Sequence, residues 1–243
     1  MNGKNSVIKR VSWCLVSCVL IALGVAMLNI AHFGNDPYSA MINSFTLFMS
    51  FIPEEYTFFH QYSYLICNTV FSLLLAIPIL FITRKYFNIG TFLNIFGMSY
   101  VIDLFMLLFS YMGLTTSLPL YGRIISVVLG FIIESIGVAL FVQSNVGVAP
   151  YDALNVLIGK KITYKYSRIL CDVGATLIAF IISLCFHLDL VTDFVSFVKF
   201  LFLSPENKVG WFTYFLFFAG GPVISIFGKL ANKYIFKTEK ANI

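Results

Sequence analysis

Residues 24–43 read GVAMLNIAHFGNDPYSAMIN, and residues 137–156 read GVALFVQSNVGVAPYDALNV. Laid over one another at an offset of 113 residues without a gap, they share Gly24/Gly137, Val25/Val138, Ala26/Ala139, Gly34/Gly147, Pro37/Pro150, Tyr38/Tyr151 and Ala40/Ala153. Ordinary composition would give about one or two such identities. Both copies follow one plan. An apolar helix ends in a small polar patch, a Gly and a Pro break the backbone, and a short half-apolar segment follows. Broken helices at matching places in two halves point to a binding site near the membrane midplane.

Composition fixes the setting. Of the 243 residues, 59% are hydrophobic and 11% charged, and the mean hydropathy is +0.90. So little polar surface excludes a soluble domain. The apolar runs do not alternate, so helices rather than barrel strands are expected. The net charge of +5 comes from basic residues at segment ends, which encodes orientation rather than nucleic-acid binding. Cys14, Cys18, Cys67, Cys171 and Cys185 all sit inside apolar runs. They form no metal-spaced pair and no disulfide framework, and are read as small buried hydrophobes.

Six spans are expected: Val11–Ala31, Tyr62–Thr83, Gly90–Met112, Arg123–Ser144, Ile169–His187 and Trp211–Leu230. The N-terminal basic residues Lys4, Lys9 and Arg10 resemble a signal peptide's, but the run after them continues into the first copy, so it is read as a span. The short segments after the breaks, Tyr38–Phe51 and Tyr151–Gly159, are read as re-entrant half-helices. Residues 189–208 are a longer connection, read as lying along the interface. SYLICN (63–68) matches SRILCD (167–172), and TFLNIFGMSYVIDLF (91–105) can be laid on TYFLFFAGGPVISIF (213–227). The expected fold is therefore an all-α integral membrane protein of two repeats, 1–118 and 119–243, in one structural domain. Each repeat has three spans and one half-helix broken at Gly-x-x-Pro.

Charge gives the orientation. The basic clusters at the N-terminus, at Arg84/Lys85, at 160–168 and at Lys229, Lys233, Lys237 and Lys240 share one side if the short segments do not cross. That side is cytoplasmic by the positive-inside bias, with both termini on it. The acidic loop at Glu54 and Glu55 then lies outside, and its basic counterpart inside, so the second repeat is inverted.

Gly147-Val148-Ala149-Pro150-Tyr151-Asp152 and Thr213…Gly221-Pro222-Val223-Ile224 resemble signatures of the YczE/YyaS/YitT group of bacterial membrane proteins, closest to the YczE-like branch. The resemblance covers most of the chain and implies a bacterial plasma-membrane protein. The first copy departs from it, with Ser39 in place of Asp152 and Ser99-Tyr100 in place of Gly221-Pro222.

Polar residues at membrane depth are the candidates for chemistry, because each is costly unless paired or hydrated. At the first break they are Asn29, His32, Asn35, Asp36 and Tyr38; at the second, Gln143, Asn145, Tyr151, Asp152 and Asn155. The expected substrate-binding set is His32, Asn35, Asp36, Tyr38, Asn145, Tyr151 and Asp152. Helix capping is the competing reading for Asn35 and Asp36, and a polar cap for His32. Glu134, Asp172 and Asp103 are the candidate coupling carboxylates. For Glu134 the alternatives are a counter-ion to Arg123 or Arg168 and a structural hydrogen bond; for Asp172 the alternative is an i, i+4 pair with Arg168. No His pair has metal spacing, and no cofactor is expected. No Walker motif, G-x-S-x-G or Cys/His nucleophile arrangement occurs, so an enzyme is not expected.

The expected function is secondary transport of a small solute by alternating access. Membrane lipids and that solute are the expected partners, with a homo-oligomer as a further option and no nucleic acid. Two other classes stand beside transport: a substrate-binding subunit of a larger transport complex, and a non-transporting partner of a biosynthetic or signalling system.

Overall fold

The computed structural model describes residues 3–84, 87–115, 118–203 and 208–236. Lys85, Glu206, Lys237 and Lys240, read above for orientation or as part of the 189–208 connection, lie outside them. The described chain is helical, with no strand among those residues. In order come α1 (Gly3–Ala31), α2 (Pro37–Phe45) with a 3-10 turn Thr46–Phe51, α3 (Thr57–Gln61) and α4 (Ser63–Ile82). Then follow α5 (Ile89–Phe92), a π turn Leu93–Gly97, α6 (Met98–Tyr111) and α7 (Leu120–Ser144). The chain closes with α8 (Pro150–Ile162), α9 (Tyr164–Phe186), α10 (Phe194–Leu203) and α11 (Trp211–Ala231), which runs into a π turn Asn232–Phe236.

Among the described residues, six helices are long and apolar enough to cross a membrane: Val7–Ala31, Ser63–Ile82, Ile89–Tyr111, Leu120–Ser144, Lys165–Phe186 and Trp211–Phe236. Their outward faces carry exposed Leu, Ile and Phe, such as Leu74, Phe81, Leu107 and Phe218, a surface suited to lipid and not to water. The chain is thus a multi-pass α-helical membrane protein. The main boundary correction is at α9. It begins at Tyr164, five residues before the expected start, so Lys165 and Arg168 belong to a helix and not to a loop. The 189–208 connection contains the helix α10.

An antiparallel pair, α1 and α7, forms the axis. Glycines set its closeness. A Cβ on Gly24 would lie 2.6 Å from Glu134 Cβ, and one on Gly137 would lie 2.8 Å from the Ile21 backbone nitrogen. Small residues let two backbones approach in this way. Below one end of α1, Cys14, Cys18, Ala22 and Val25 pack with Met98, Ile102 and Phe141; at the other, Leu28 and Ala31 pack with Val127, Phe212 and Leu216.

Both axis helices end alike. His32 (φ 56°) and Asn145 (φ 54°) turn left-handed, followed by Gly34 (φ 108°) and Gly147 (φ 137°). Left-handed backbone is open to Gly and, among other residues, more often to Asn and His. Pro37 and Pro150 then start α2 and α8, where a missing N–H does no harm. Past the break, α2 runs alongside α9: Ala40, Met41 and Ile42 cluster with Ala175, Ala179 and Val209, and Phe48 meets Phe186. Val209 adjoins Gly210, which packs on Phe33 just beyond α1. So α2 heads back to the end of the bundle that α1 had reached. Lys9 Nζ donates to the Ile235 carbonyl at 2.8 Å, which puts the first turns of α1 and the π turn after α11 at one end of the bundle.

Each break is tied to the start of a distant helix by the same two bonds. Gly90 N–H donates to Val146 O (2.9 Å) and Phe212 N–H to Phe33 O (3.0 Å). Thr91 Oγ1 donates to Val148 O (2.9 Å) and Thr213 Oγ1 to Asn35 O (2.7 Å). Irregular backbone away from water needs such partners. Thr91→Val and Thr213→Val keep the shape and delete the donor. Each is expected to destabilise by about 1–3 kcal/mol, the cost of an unsatisfied buried carbonyl, read as a lower melting temperature in detergent.

Candidate functional site

The two breaks bring the starts of α2 and α8 together. Tyr38 and Tyr151 stack with ring centroids 4.9 Å apart at 36°. Each tyrosine then reaches to the neighbouring long helix. Tyr151 Oη donates to Asp172 Oδ1 at 2.7 Å; Tyr38 Oη donates to Asn68 Oδ1 at 2.9 Å. The next residue of each pair is also held. Arg168 donates from its terminal nitrogen to Asp152 Oδ1 and, through Nε, to Asp172 Oδ2 at 3.1 Å. In the corresponding place Tyr64 Oη donates to Ser39 Oγ at 3.2 Å. By the sequence matches above, Tyr64 stands where Arg168 stands, Ser39 where Asp152 does, and Asn68 where Asp172 does. One half solves the junction with neutral hydrogen bonds, the other with a buried ion triad.

Two cavities flank this junction. The larger, about 80 Å³, is lined by Tyr38, Ser39, Tyr64, Asn68, Tyr151 and Asp152, with Asn94, Met98 and Ile102 from the α5–α6 helix. The smaller, about 20 Å³, is lined by Pro37, Phe131, Ser135 and Asp172, with Leu216, Gly220 and Ile224 from α11. Asp36, Glu134, Val138 and Arg168 line both. In the alignment of 91–105 with 213–227, Asn94, Met98 and Ile102 fall on Leu216, Gly220 and Ile224. The two cavities therefore use the same three positions of two matched helices. Asn94 sits in the π turn, a distortion often found at functional sites.

Asp36, Tyr38, Tyr151 and Asp152 of the expected set line the larger cavity. Asp36 also caps α2, its Oδ1 accepting from Ser39 N–H at 3.0 Å. Glu134 lines both cavities and is buried against Gly24; Asp172 lines the smaller. The others lie elsewhere. His32 and Asn145 are exposed at the helix ends, where they supply left-handed backbone and line neither cavity. Asn35 is buried beside the site, its Nδ2 donating to Asn29 Oδ1 at 2.7 Å. Asp103, half-buried next to Ile102, lines neither cavity. Among the described residues, no three His, Cys, Asp or Glu side chains converge as metal ligands.

The sequence reading does not place Tyr64, Asn68, Ser39 or Asn94 in the site. It offers Arg168 as a partner of Asp172 at i, i+4, a pair that is present, but not as a ligand of Asp152, because Lys160, Lys161 and Lys165 close by mark the stretch as an orientation signal. The match of SYLICN to SRILCD held the clue, since it sets Arg168 one turn before Asp172 on the helix that faces the second break.

No curated protein and no solved structure matches the chain. A family model does match, over residues 8–229, and its description is "Family of unknown function (DUF6198)". With most of the chain inside that match, this multi-pass membrane protein belongs to that family of unknown function.

Proposed function

We propose that the protein is a secondary transporter that moves a small solute by alternating access, and that it is no enzyme. It is built, in this reading, from two inverted repeats, each of three spans and one re-entrant half-helix. The observation that carries the proposal is the pair of unequal cavities on either side of Asp36, Glu134 and Arg168, lined by matched positions of the α5–α6 helix and α11. Inverted repeats exchange roles when such a protein turns from one side of the membrane to the other, so one cavity grows as its counterpart shrinks. A larger and a smaller version of one cavity are what a single state of that cycle looks like. The crossed bonds at the two breaks and the Tyr38–Tyr151 stack support the same reading. We further place the protein in a bacterial plasma membrane with both termini cytoplasmic, on the YczE-like branch suggested by its motifs.

Accessibility is the direct test. Met98→Cys and Gly220→Cys, in a background free of native cysteines, put one thiol in each cavity; a side chain at Gly220 meets no heavy atom within 4 Å. A membrane-impermeant maleimide should reach the two thiols from opposite faces of oriented vesicles. Conditions that speed one reaction should slow the other. Labelling of both from one face, or rates that never change in opposition, rejects alternating access and favours a non-transporting subunit or partner.

A further inference from the structure

Carboxyl groups outnumber cations around the two cavities. Asp152 and Asp172 share Arg168 between them, and Arg168 is the one cation lining either cavity among the described residues. Asp36 and Glu134 are left over. Both are 8% exposed and both line both cavities. Asp36 Oδ2 is buried with no hydrogen-bond partner among the described residues. A buried carboxyl group is tolerated when it is protonated or when a cation compensates its charge. An anionic ligand would add to the excess, whereas a cationic one would relieve it.

The rest of the lining narrows the cation. The carboxylates do not converge as a metal cage, so a bare divalent ion lacks ligands. Aromatic faces are present instead. The Arg168 guanidinium already lies 5.4 Å from the Tyr151 ring centroid, and Tyr38, stacked on Tyr151, lines the same cavity. Tyrosine faces attract organic cations. The larger cavity of about 80 Å³ has room for about five to eight water-sized groups, which limits the ligand to a handful of non-hydrogen atoms.

We infer that the solute is a small organic monocation, an ammonium or guanidinium compound, held by the Asp36 and Glu134 carboxylates against Tyr38. The inference rests on the transport reading for the route across the membrane, while the binding itself stands without it.

The experiment is thermal unfolding of the purified full chain in detergent with methylammonium, tetramethylammonium or methylguanidinium chloride. Sodium chloride and sodium methanesulfonate serve as controls. At a hundredfold excess over Kd, a cation that binds the folded state is expected to raise the midpoint by about 5–10 °C. Asp36→Asn and Glu134→Gln should each abolish that shift without lowering the ligand-free midpoint, since each takes away, at nearly constant shape, a carboxyl group that has no cation of its own among the described residues. Glu54→Gln, in the exposed acidic loop, should leave the shift intact. Glu134→Asp keeps the charge on a shorter arm and should retain a reduced shift, which separates lost binding from lost folding. Stabilisation by methanesulfonate instead, a cation shift that survives in both neutral variants, or no shift with any of the three cations overturns the inference. Any of these would leave the opposed accessibility of positions 98 and 220 untouched. Failure of that accessibility would, in turn, leave cation binding intact.

Discussion

Arg168→Met is expected to cost the protein about 3–5 kcal/mol, the penalty for breaking a buried ion pair by removing one partner. For a domain of this size that is a fall of about 6–20 °C in melting temperature. The reason lies in what stays behind. Asp152 and Asp172, both buried, have Arg168 as their shared cation, and methionine fills its volume without its charge. The other half of the molecule indicates the repair. Tyr64, Ser39 and Asn68 occupy the matching places with no ionised group. The triple variant Arg168→Tyr, Asp152→Ser, Asp172→Asn copies that neutral solution and should recover most of the lost stability, although Arg168→Tyr alone should not. Size-exclusion profiles and thermal melts of the three proteins decide the matter. If the methionine variant melts with the wild type, the triad is not a charge-compensated unit.

A comparable loss is expected from Gly24→Leu. A Cβ there would lie 2.6 Å from Glu134 Cβ and 2.7 Å from its backbone nitrogen. The obstruction is partly main chain, so it cannot be relieved by a rotamer change, and α1 must move off α7. Overpacking of a tight interior costs about 1–3 kcal/mol and at times more. With backbone in the way and three further carbons to house, the leucine variant is expected to exceed about 4 kcal/mol, the range of severe single substitutions. Gly24→Ala should fall between it and the wild type. Gly174→Ala is the contrast: nothing lies within 4 Å of its Cβ, so gained helix propensity should stabilise by about 0.5–1 kcal/mol. Equal melting temperatures for the Gly24 and Gly174 variants would mean that α1 and α7 are not pressed together at this crossing.

The spans and the breaks were legible because each is local chemistry. Runs of apolar residues set the six long helices, and Gly34, Pro37, Gly147 and Pro150 admit few backbone courses besides a break. Polar residues were harder. His32 and Asn145 are polar beside a break and so resembled ligands. What their places ask of them is left-handed backbone, which such residues tolerate, while their side chains face outward. Arg168 was legible in part: its spacing gives the i, i+4 pair with Asp172, while its cationic neighbours mark the stretch for sidedness and hide the reach to Asp152 that follows from α9 beginning at Tyr164. Contacts between Thr213 and Asn35, or Thr91 and Val148, span long separations that no local pattern encodes. Only the second copy of the sequence made their pairing interpretable afterwards.

Those crossed ties also bear on how the chain is made. Phe33 O and Asn35 O find their donors in Phe212 and Thr213. When synthesis has delivered the first two hundred residues, the earlier break already sits in the membrane with both carbonyls unmatched. The later break has no such wait, since Gly90 and Thr91 precede it along the chain. The break that is synthesised first is therefore the one whose carbonyls are matched last, when the last long helix arrives.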